Sequence, residues 1–337
     1  ELAAFARSCF TPGRPLVDAA LALNQSIYDT FEYDPSFTTL ATPLSEVLAN
    51  RRGVCQDFAH LAIGALRSVG LAARQRGVAG QVTGLVRRAE SVGECLAAGA
   101  VDAATQDLAE ALEGSALVIL CTPVGDMADM AARLKPHLAA DAVVTDVGSV
   151  KASVVRAVEG VLPRFVGSHP LCGSEKAGVV HARGDLFEGA ACAVTPTGQS
   201  NAAAVEMVSG FWTALGGKVV SLTAEDHDAI VARTSHLPHV VASALVNAVL
   251  ARPRAGESMF LGTGFHDTTR LASGSPSMWR DIALTNAEAI ARSIDDLQAE
   301  LEQLKTALGA KDAAALEKFF AEGKSGRDEW LASWEKK

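Results

Sequence analysis

The stretch "LAARQRGVAGQVTGLVRRAES", residues 71–91, contains the point at which the chain changes from a helical pattern to short apolar strands. Its segment Gln81–Val86 predicts a short buried strand. Arg87 and Arg88 follow that strand, at the place where a dinucleotide-binding strand holds the residue that reads the ribose. No Gly-x-Gly-x-x-Gly turn precedes the strand in the sequence. The stretch therefore predicts the second strand of a nucleotide-binding sheet without the first.

Downstream of this strand, short apolar runs alternate with helical patterns such as Met127–Leu138. Continuous apolar strands are typical of a sheet that is covered on both faces, and intervening helices predict right-handed βαβ units. We therefore expect a doubly wound parallel α/β sheet, which binds ligands at the carboxyl ends of its strands. The predicted strands are Gln81–Val86, Leu117–Thr122, Ala142–Val147, Phe165–Ser168, Cys192–Pro196 and Lys218–Leu222.

Helical patterns predominate on either side of the strand region. Cys55–Val69 predicts a helix that stops at Gly70, and a capping box at Thr223 and Asp226 opens a long helix that extends to about Leu250. A later helix carries apolar residues with alternating spacings of four and three, which predict a packing seam. The pattern fits a helix of the domain's own bundle and a dimer interface equally well. The seam residues are Ile290, Ile294, Leu297, Leu301, Leu304 and Leu308.

Composition narrows the class of protein. The chain has 337 residues, enough for two or three domains, and 49% of them are hydrophobic with few aromatics, which is typical of a soluble α/β or helical enzyme. The formal net charge of −9 argues against a nucleic-acid partner, and the longest apolar runs are too short to span a membrane. The six cysteines show neither paired spacing nor a CxxC motif, so we expect reduced thiols, no zinc site and a cytoplasmic location. Because the first residue is Glu1 rather than Met, we also expect the chain to begin inside a longer reading frame.

Polar residues with catalytic potential follow several predicted strands and helix starts. Ser149 and His169 come at the ends of two strands, His236 and His239 lie on the first long helix, and Arg270 precedes another helix. A histidine at the end of a strand, taken alone, is a hydrogen-bonded surface residue about as often as it is a functional residue. Together, these residues predict a cleft between sheet and helices that binds an anionic substrate, because Arg clamps carboxylates and neutral His accepts a proton near pH 7.

Five motifs in order resemble the prephenate dehydrogenase family, which includes the arogenate dehydrogenases. They are "VILCTPV" (118–124), "TDVGSVK" (145–151), "GSHPLCGSEKAGV" (167–179), "SHLPH" (235–239) and "TTRLASGSPSMWRDI" (268–282). The resemblance covers about residues 76–337 and implies a Rossmann-like domain followed by an all-α domain that binds substrate and forms a homodimer. It implies oxidative decarboxylation of prephenate or arogenate in tyrosine biosynthesis, with hydride transfer to NAD(P)⁺.

The resemblance also implies roles for individual residues. His169 would be the catalytic base and Ser149 would orient the ring hydroxyl, while His239 and Arg270 would hold the substrate. His236 is expected to be a packed helix residue. At the mouth of the cleft the resemblance places Ser174, Glu175 and Asp267, and beside the cofactor it places Thr122 and Pro123.

The residues after the predicted second strand favour NADP over NAD. A site that prefers NAD usually has Asp or Glu there to accept from the ribose 2′-hydroxyl. Arg87 and Arg88 instead suit a 2′-phosphate, although two arginines can also be a solvated strand end. NADP is therefore the expected cofactor, with NAD as the alternative.

The first 75 residues resemble a different family. In "GVCQDFAHL" (53–61), Cys55 opens a helix as the nucleophile does in bacterial transglutaminase-like proteins, and a helix N-terminus favours the thiolate. The His and Asp motifs of that family do not follow, and His60 would point away from Cys55 on the same helix. Cys55 is thus interpreted as a vestigial nucleophile, and cysteine-enzyme activity is the less favoured reading.

The sequence thus predicts three parts: a transglutaminase-like fragment (1–75), a Rossmann-like domain (76–222) and a helical domain (223–337). The first strand and its Gly-rich turn, whose backbone N–H groups bind the pyrophosphate, have no counterpart. We therefore expect weak or absent nucleotide binding, and a catalytically silent fusion is the third reading.

Overall fold

A computed structural model of the chain describes residues 32–33, 52–53, 68–172, 184–251 and 256–334. The chain divides into two compact units, Glu1–His60 and Leu61–Lys337. In the first unit, the described residues form one parallel pair, β1 (Glu32–Tyr33) with β2 (Arg52–Gly53). The sequence-predicted helix at Cys55–Val69 falls almost wholly outside the described residues. The domain boundaries at residues 75 and 222 remain predictions.

The second unit begins with alternating strands and helices. After a helical segment at 68–75, the strands are β3 (Thr83–Leu85), β4 (Ala103–Thr105), β5 (Leu117–Leu120), β6 (Val143–Asp146), β7 (Phe165–Pro170), β8 (Ala191–Thr195) and β9 (Lys218–Ser221). The helices between them are α1 (Ala89–Ala97), α2 (Leu108–Leu112), α3 (Met127–Leu134), α4 (Ala152–Val158) and α5 (Ala202–Ala214). Two 3₁₀ turns, Val124–Asp126 and Lys135–His137, flank α3.

The strands form a doubly wound sheet, as the sequence predicts, with one interruption. β5 to β9 pair in chain order, while β3 pairs only with β4 in a separate two-stranded sheet. In the order 3-2-1-4-5-6, the strand between the second and the fourth is the first strand. Among the described residues no strand pairs with the second edge of β3 or with the outer edge of β5. The interruption thus coincides with the βα unit that the sequence lacks.

Two details of the sheet differ from the sequence prediction. β8 runs antiparallel to β7. The sequence does not indicate the direction of this strand, because an apolar run has the same pattern in either direction. β4 was not predicted, since Ala103, Ala104 and Thr105 are small and only partly buried. The six predicted strands are all present, each within two residues of its predicted ends.

Gly70 is not the end of a helix, and that expectation was wrong. The helical segment runs through residue 75, and Gly77, with a φ of +64°, follows it. A Cβ atom at Gly70 would overlap the carbonyl oxygen of Ala100, so a glycine is needed here for close packing. The third glycine of a dinucleotide-binding fingerprint has the same function. This close contact holds the segment 68–75 against the chain that leads into β4.

Helices cover both faces of the five-stranded sheet. Successive residues of one strand face opposite sides, so Val144 packs with α3 and α4 while Val143 packs with α5 and the segment 68–75. Trp212 of α5 is fully buried on the second face, and its indole Nε1 donates to Ser168 Oγ at 2.9 Å. This packing fixes the carboxyl ends of β6 and β7, which carry Ser149 and His169.

The remainder of the second unit is helical. Its helices are α6 (Ala224–Val231), α7 (Leu237–Leu250), α8 (Thr263–Thr269), α9 (Pro276–Thr285), α10 (Ala287–Ala310) and α11 (Ala313–Trp334). A π-helical turn, Ala232–His236, joins α6 to α7, so the long helix predicted from Thr223 is continuous but has a bulge. Thr223 Oγ1 accepts from the backbone N–H of Asp226, as predicted. None of the helices that the structure describes is long and apolar enough to span a membrane.

Candidate active site

The carboxyl ends of β6 and β7 lie side by side. Thr145 pairs with Val166 in parallel register, which brings the chain after β6, with Ser149, to the same edge as His169. Both side chains are partly exposed. The structure thus brings these two predicted site residues to one edge of the sheet.

A buried ion pair lies directly behind these two residues. Lys151 Nζ contacts Asp146 Oδ2 and also donates to the carbonyl oxygen of Ser168 at 2.9 Å, and both charged side chains have no exposed surface. Asp146 further accepts from the backbone N–H groups of Gly148 and Ser168, at 2.9 and 3.0 Å. Burial lowers the pKa of Lys151, and the Asp146 carboxylate opposes that shift. The pair ties the end of β6 to the end of β7.

His169 contacts a second histidine that the sequence analysis did not identify. His169 Nδ1 lies 2.9 Å from His227 Nε2, and the two rings meet edge-on at 70°. Burial lowers the pKa of His169 well below 6.5, and His227, Lys151 and His236 lower it further. The imidazole is therefore neutral near pH 7, as a general base must be.

Asp228 extends this contact by one more residue. His227 Nδ1 lies 2.8 Å from Asp228 Oδ1. The same oxygen accepts from the backbone N–H of Lys151 at 2.7 Å, and Oδ2 accepts from that of Ala152 at 2.9 Å. His227 is 1% exposed and Asp228 5%. The start of α4 thus holds the carboxylate in a fixed position.

His236 is the last residue of the π-helical turn and is almost fully buried. Asn286 Nδ2 lies 3.2 Å from His236 Nδ1 and also donates to the carbonyl oxygen of Asp228. No described group forms a hydrogen bond with His236 Nε2. Burial lowers the pKa of His236 to about 4. The expectation that His236 is a packed residue agrees with its burial, and its free ring nitrogen adds a polar atom to this region.

His239 stacks on Trp279 of α9. The ring centroids are 3.6 Å apart and the planes differ by 12°. The contact needs Gly274, because a Cβ atom there would lie 2.6 Å from both His239 Cε1 and Trp279 Nε1. Burial lowers the pKa of His239 to about 4. Trp279 therefore fixes the ring plane of a residue expected to hold substrate.

Arg270 opens the 3₁₀ segment Arg270–Ser273, which packs against α7, the helix of His239. Arg270 is exposed at the surface. Asp267, one turn earlier on α8, is also exposed and lies 3.0 Å from His266 Nδ1 through Oδ1. The structure thus places the guanidinium on an element in contact with the His239 helix, and it leaves Asp267 at the surface.

Part of a dinucleotide site is present in the described residues. At the carboxyl end of β5, Thr122 Oγ1 is buried without a hydrogen-bond partner, which fits a polar ligand group there, and Pro123 follows it at the surface. After β3, Arg87 is exposed and Arg88 is partly buried at the start of α1. These positions at the ends of β3 and β5 are the ones at which the sequence predicts contacts with a dinucleotide. Among the described residues, the sheet is interrupted between β3 and β5, where the Gly-rich turn of such a site would begin.

Other predicted site residues lie elsewhere. Ser174, Glu175 and Cys55 fall outside the described residues, so their predicted roles are untested. Within the described ranges no group of three His, Cys, Asp or Glu side chains is arranged to hold a metal ion.

Sequence reasoning missed three residues of this site: His227, Asp228 and Trp279. In "AEDHDAI" (224–230) the first two lie among acidic residues and suggest a solvated helix face. Their one visible signal was the helical spacing, which places residues 224, 227, 228 and 231 on one buried face. Trp279 lies in the quoted motif at 268–282, but its stacking partner is 40 positions away.

Comparison with known proteins identifies two families. Residues 69–221 match the model described as "Prephenate dehydrogenase, nucleotide-binding domain", and residues 223–322 match "Prephenate dehydrogenase, dimerization domain". Residues 3–96 match "Transglutaminase-like superfamily". The two resemblances overlap at 69–96, across the helical segment 68–75.

Individual relatives agree with the larger match. The chain is 36% identical over 231 residues to the cyclohexadienyl dehydrogenase of Zymomonas mobilis, covering 67% of this chain and 79% of that one. It is 32% identical over 271 residues to the prephenate dehydrogenase of Bacillus subtilis, covering 77% and 72%. The prephenate dehydrogenase of A. aeolicus, solved with hydroxyphenyl propionate and NAD⁺, superimposes with a TM-score of 0.75 at 34% identity, covering 78% and 93%. Through residues 69–322, the chain belongs to the prephenate dehydrogenase family.

Proposed function

We propose that this site catalyses the oxidative decarboxylation of a prephenate-type cyclohexadienol, prephenate or arogenate. The observation that carries the proposal is the state of His169. Its Nδ1 is held by a buried histidine, its pKa lies well below 6.5, and its partly exposed ring leaves Nε2 for a substrate. A neutral imidazole at the carboxyl end of a strand is the base that a dienol hydroxyl requires.

In the proposed mechanism His169 Nε2 accepts the proton of the ring hydroxyl, and Ser149 hydrogen-bonds the same oxygen. As the hydride leaves C4, the C–O bond becomes a carbonyl. The bond to the ring carboxylate then breaks, carbon dioxide leaves, and the electron pair of that bond makes the ring an aromatic phenolate, which takes the proton back from His169. A bound oxidised nicotinamide would supply the acceptor for the hydride from C4. The protein therefore positions the substrate and removes one proton, while aromatisation supplies the driving force.

The substrate would be held through its acidic side chain. Arg270 is proposed to bind the side-chain carboxylate, and His239, fixed by Trp279, to hydrogen-bond the substrate in the cleft. Ser174, Glu175 and Asp267 are proposed to form the mouth of the cleft.

NADP⁺ is the proposed cofactor, with Arg87 and Arg88 contacting the 2′-phosphate and Thr122 and Pro123 the nicotinamide side. NAD⁺ remains the alternative, and it is the nucleotide in the A. aeolicus structure. The proposed assembly is a homodimer formed through the helical domain. The dispersed cysteines support a cytoplasmic location.

The test is a reduction assay with prephenate and with arogenate, using NADP⁺ and NAD⁺ in turn. It compares this chain with a version in which the Gly-rich first βα unit of a relative precedes Val69. We expect turnover in the restored version, and little in the chain itself because its nucleotide binding is weak. If the restored version binds nucleotide but oxidises neither substrate, the proposed function is wrong. If the chain itself binds NADP⁺ at low micromolar concentration, the expectation of weak binding is wrong.

A further inference from the structure

Three side chains form a continuous hydrogen-bonded row behind the partly exposed face of His169. His169 Nδ1 contacts His227 Nε2 at 2.9 Å, and His227 Nδ1 contacts Asp228 Oδ1 at 2.8 Å. Asp228 is held by two backbone N–H groups, those of Lys151 and Ala152. Both oxygens of Asp228 therefore accept from fixed donors, and this carboxylate is the acceptor at the end of the row.

The positions of the protons follow from this anchor. An ionised Asp228 can only accept, so His227 must carry a proton on Nδ1. A neutral His227 then has a lone pair on Nε2, so His169 must donate to it from Nδ1. His169 is left with its lone pair on Nε2. The buried carboxylate thus determines, through two rings, which nitrogen of His169 is the base.

We propose that His227 and Asp228 are positioning residues that hold His169 in the tautomer whose Nε2 is free to take the substrate proton. This inference rests on the proposed function only for the identity of the substrate. The inference about the tautomer concerns the chain's own residues and is independent of any bound group.

The row also provides a place for the transferred proton. When Nε2 of His169 gains the hydroxyl proton, the Nδ1 proton can move to Nε2 of His227 along the existing hydrogen bond. The positive charge then lies beside the Asp228 carboxylate rather than on His169, where Lys151 and His236 disfavour it. One proton enters the row at His169 and one shifts within it, so the balance of atoms and charge is kept.

The direct test is ¹⁵N NMR of the histidine rings in the unmodified full chain near pH 7.5, with no nucleotide or substrate added. His169 is expected to be protonated on Nδ1 and unprotonated on Nε2, with His227 in the same tautomer. A His169 ring protonated on Nε2 would overturn the proposal. Because no turnover is measured, this outcome is separate from failure of the proposed function.

Two variants of His227 give the matched comparison. His227→Gln keeps an amide oxygen for the His169 donor and an amide N–H for Asp228, so we expect the His169 tautomer to be retained. His227→Leu removes both groups, so a mixed His169 tautomer is expected. In the version with the restored first βα unit, kcat of the leucine variant should fall in proportion to the fraction of His169 in the other tautomer, and by less than in His169→Asn. KM should change little. A leucine variant that folds and keeps both a pure Nδ1–H tautomer and its kcat would also overturn the proposal.

Discussion

The four histidines of the site differ in the groups that hold their rings. His169 and His227 share a hydrogen bond, His236 is held by Asn286, and His239 by stacking on Trp279. For His169, His236 and His239, burial lowers the pKa, because a charged imidazole loses hydration inside the protein. These three rings are therefore neutral at physiological pH, which suits the proposed role of His169 as a base.

The lowered pKa values predict a dependence of stability on pH. His236 and His239 titrate near 4 when folded, whereas an unfolded histidine titrates near ~6.5. Between these values the unfolded chain binds more protons, so the free energy of unfolding falls as the pH drops from about 6.5 towards 4. Above about pH 6.5, the full contribution of these two histidines to the free energy of unfolding is present.

This dependence is measured by chemical denaturation at pH 7.5 and pH 5. His239→Asn should reduce the loss of stability between the two values, since one buried group no longer takes up a proton on unfolding. His137→Asn is the control, because His137 is exposed. An equal loss of stability in the parent and the His239 variant would contradict the assignment.

The packing of the helical segment 68–75 depends on the close contact of Gly70 with Ala100. Gly70→Ala places a Cβ against a backbone oxygen that has no room to move, so we expect a loss of roughly 1–3 kcal/mol in the free energy of unfolding. The measurement is thermal or denaturant unfolding of the chain.

Gly93→Ala is the matched control for this variant. Gly93 lies in α1, and nothing approaches its Cβ position within 4 Å, so alanine should stabilise by roughly 0.5–1 kcal/mol. Gly70→Ala with the stability of the parent would show that the segment does not pack as described.

The seam of α10 is divided between two environments. Ile290 and Ile294 pack in the helical domain with Val150 and Ile282, whereas Leu301 and Leu308 are 51% and 57% exposed. On α11, Phe320 and Trp330 are also exposed. Both sequence readings of the seam therefore have support: its start belongs to the domain core, and its end offers apolar surface to a partner.

Leu301→Glu is expected to weaken the proposed dimer, because it puts a charge at the centre of the exposed half of the seam. Light scattering after gel filtration should show a lower mass than the parent at equal concentration. Gln303→Glu, an exposed residue of the same helix outside the seam, should leave the mass unchanged. If the parent is already a monomer, the proposed assembly is wrong.

The strand positions were readable from the sequence because apolar runs such as Cys192–Val194 are buried on both faces. β4 was not, because three small, partly buried residues give no apolar signal. The contacts among His169, His227 and Asp228 could not be predicted from the sequence either. Asp228 is held by Lys151, 77 positions earlier, and that proximity exists only once α4 and α6 pack together.

In the described residues, the interruption of the sheet lies away from His169. β5 to β9 pair with one another in chain order and, with the helical domain, build the surroundings of His169; only the outer edge of β5 would have the first strand as its neighbour. The pyrophosphate turn, in contrast, belongs to the unit that the sequence lacks. Base and substrate residues should therefore survive a change of the N-terminal region that impairs cofactor binding.

Single-turnover hydride transfer tests the role of His169 most directly. The rate is measured in the version with the restored first βα unit, in its His169→Asn variant and in a His137→Asn control. With saturating substrate and NADP⁺, we expect the rate to fall roughly 10²–10⁴-fold for His169→Asn and to be unchanged for His137→Asn. A His169→Asn variant that transfers hydride at the parent rate would contradict the role of His169 as the base.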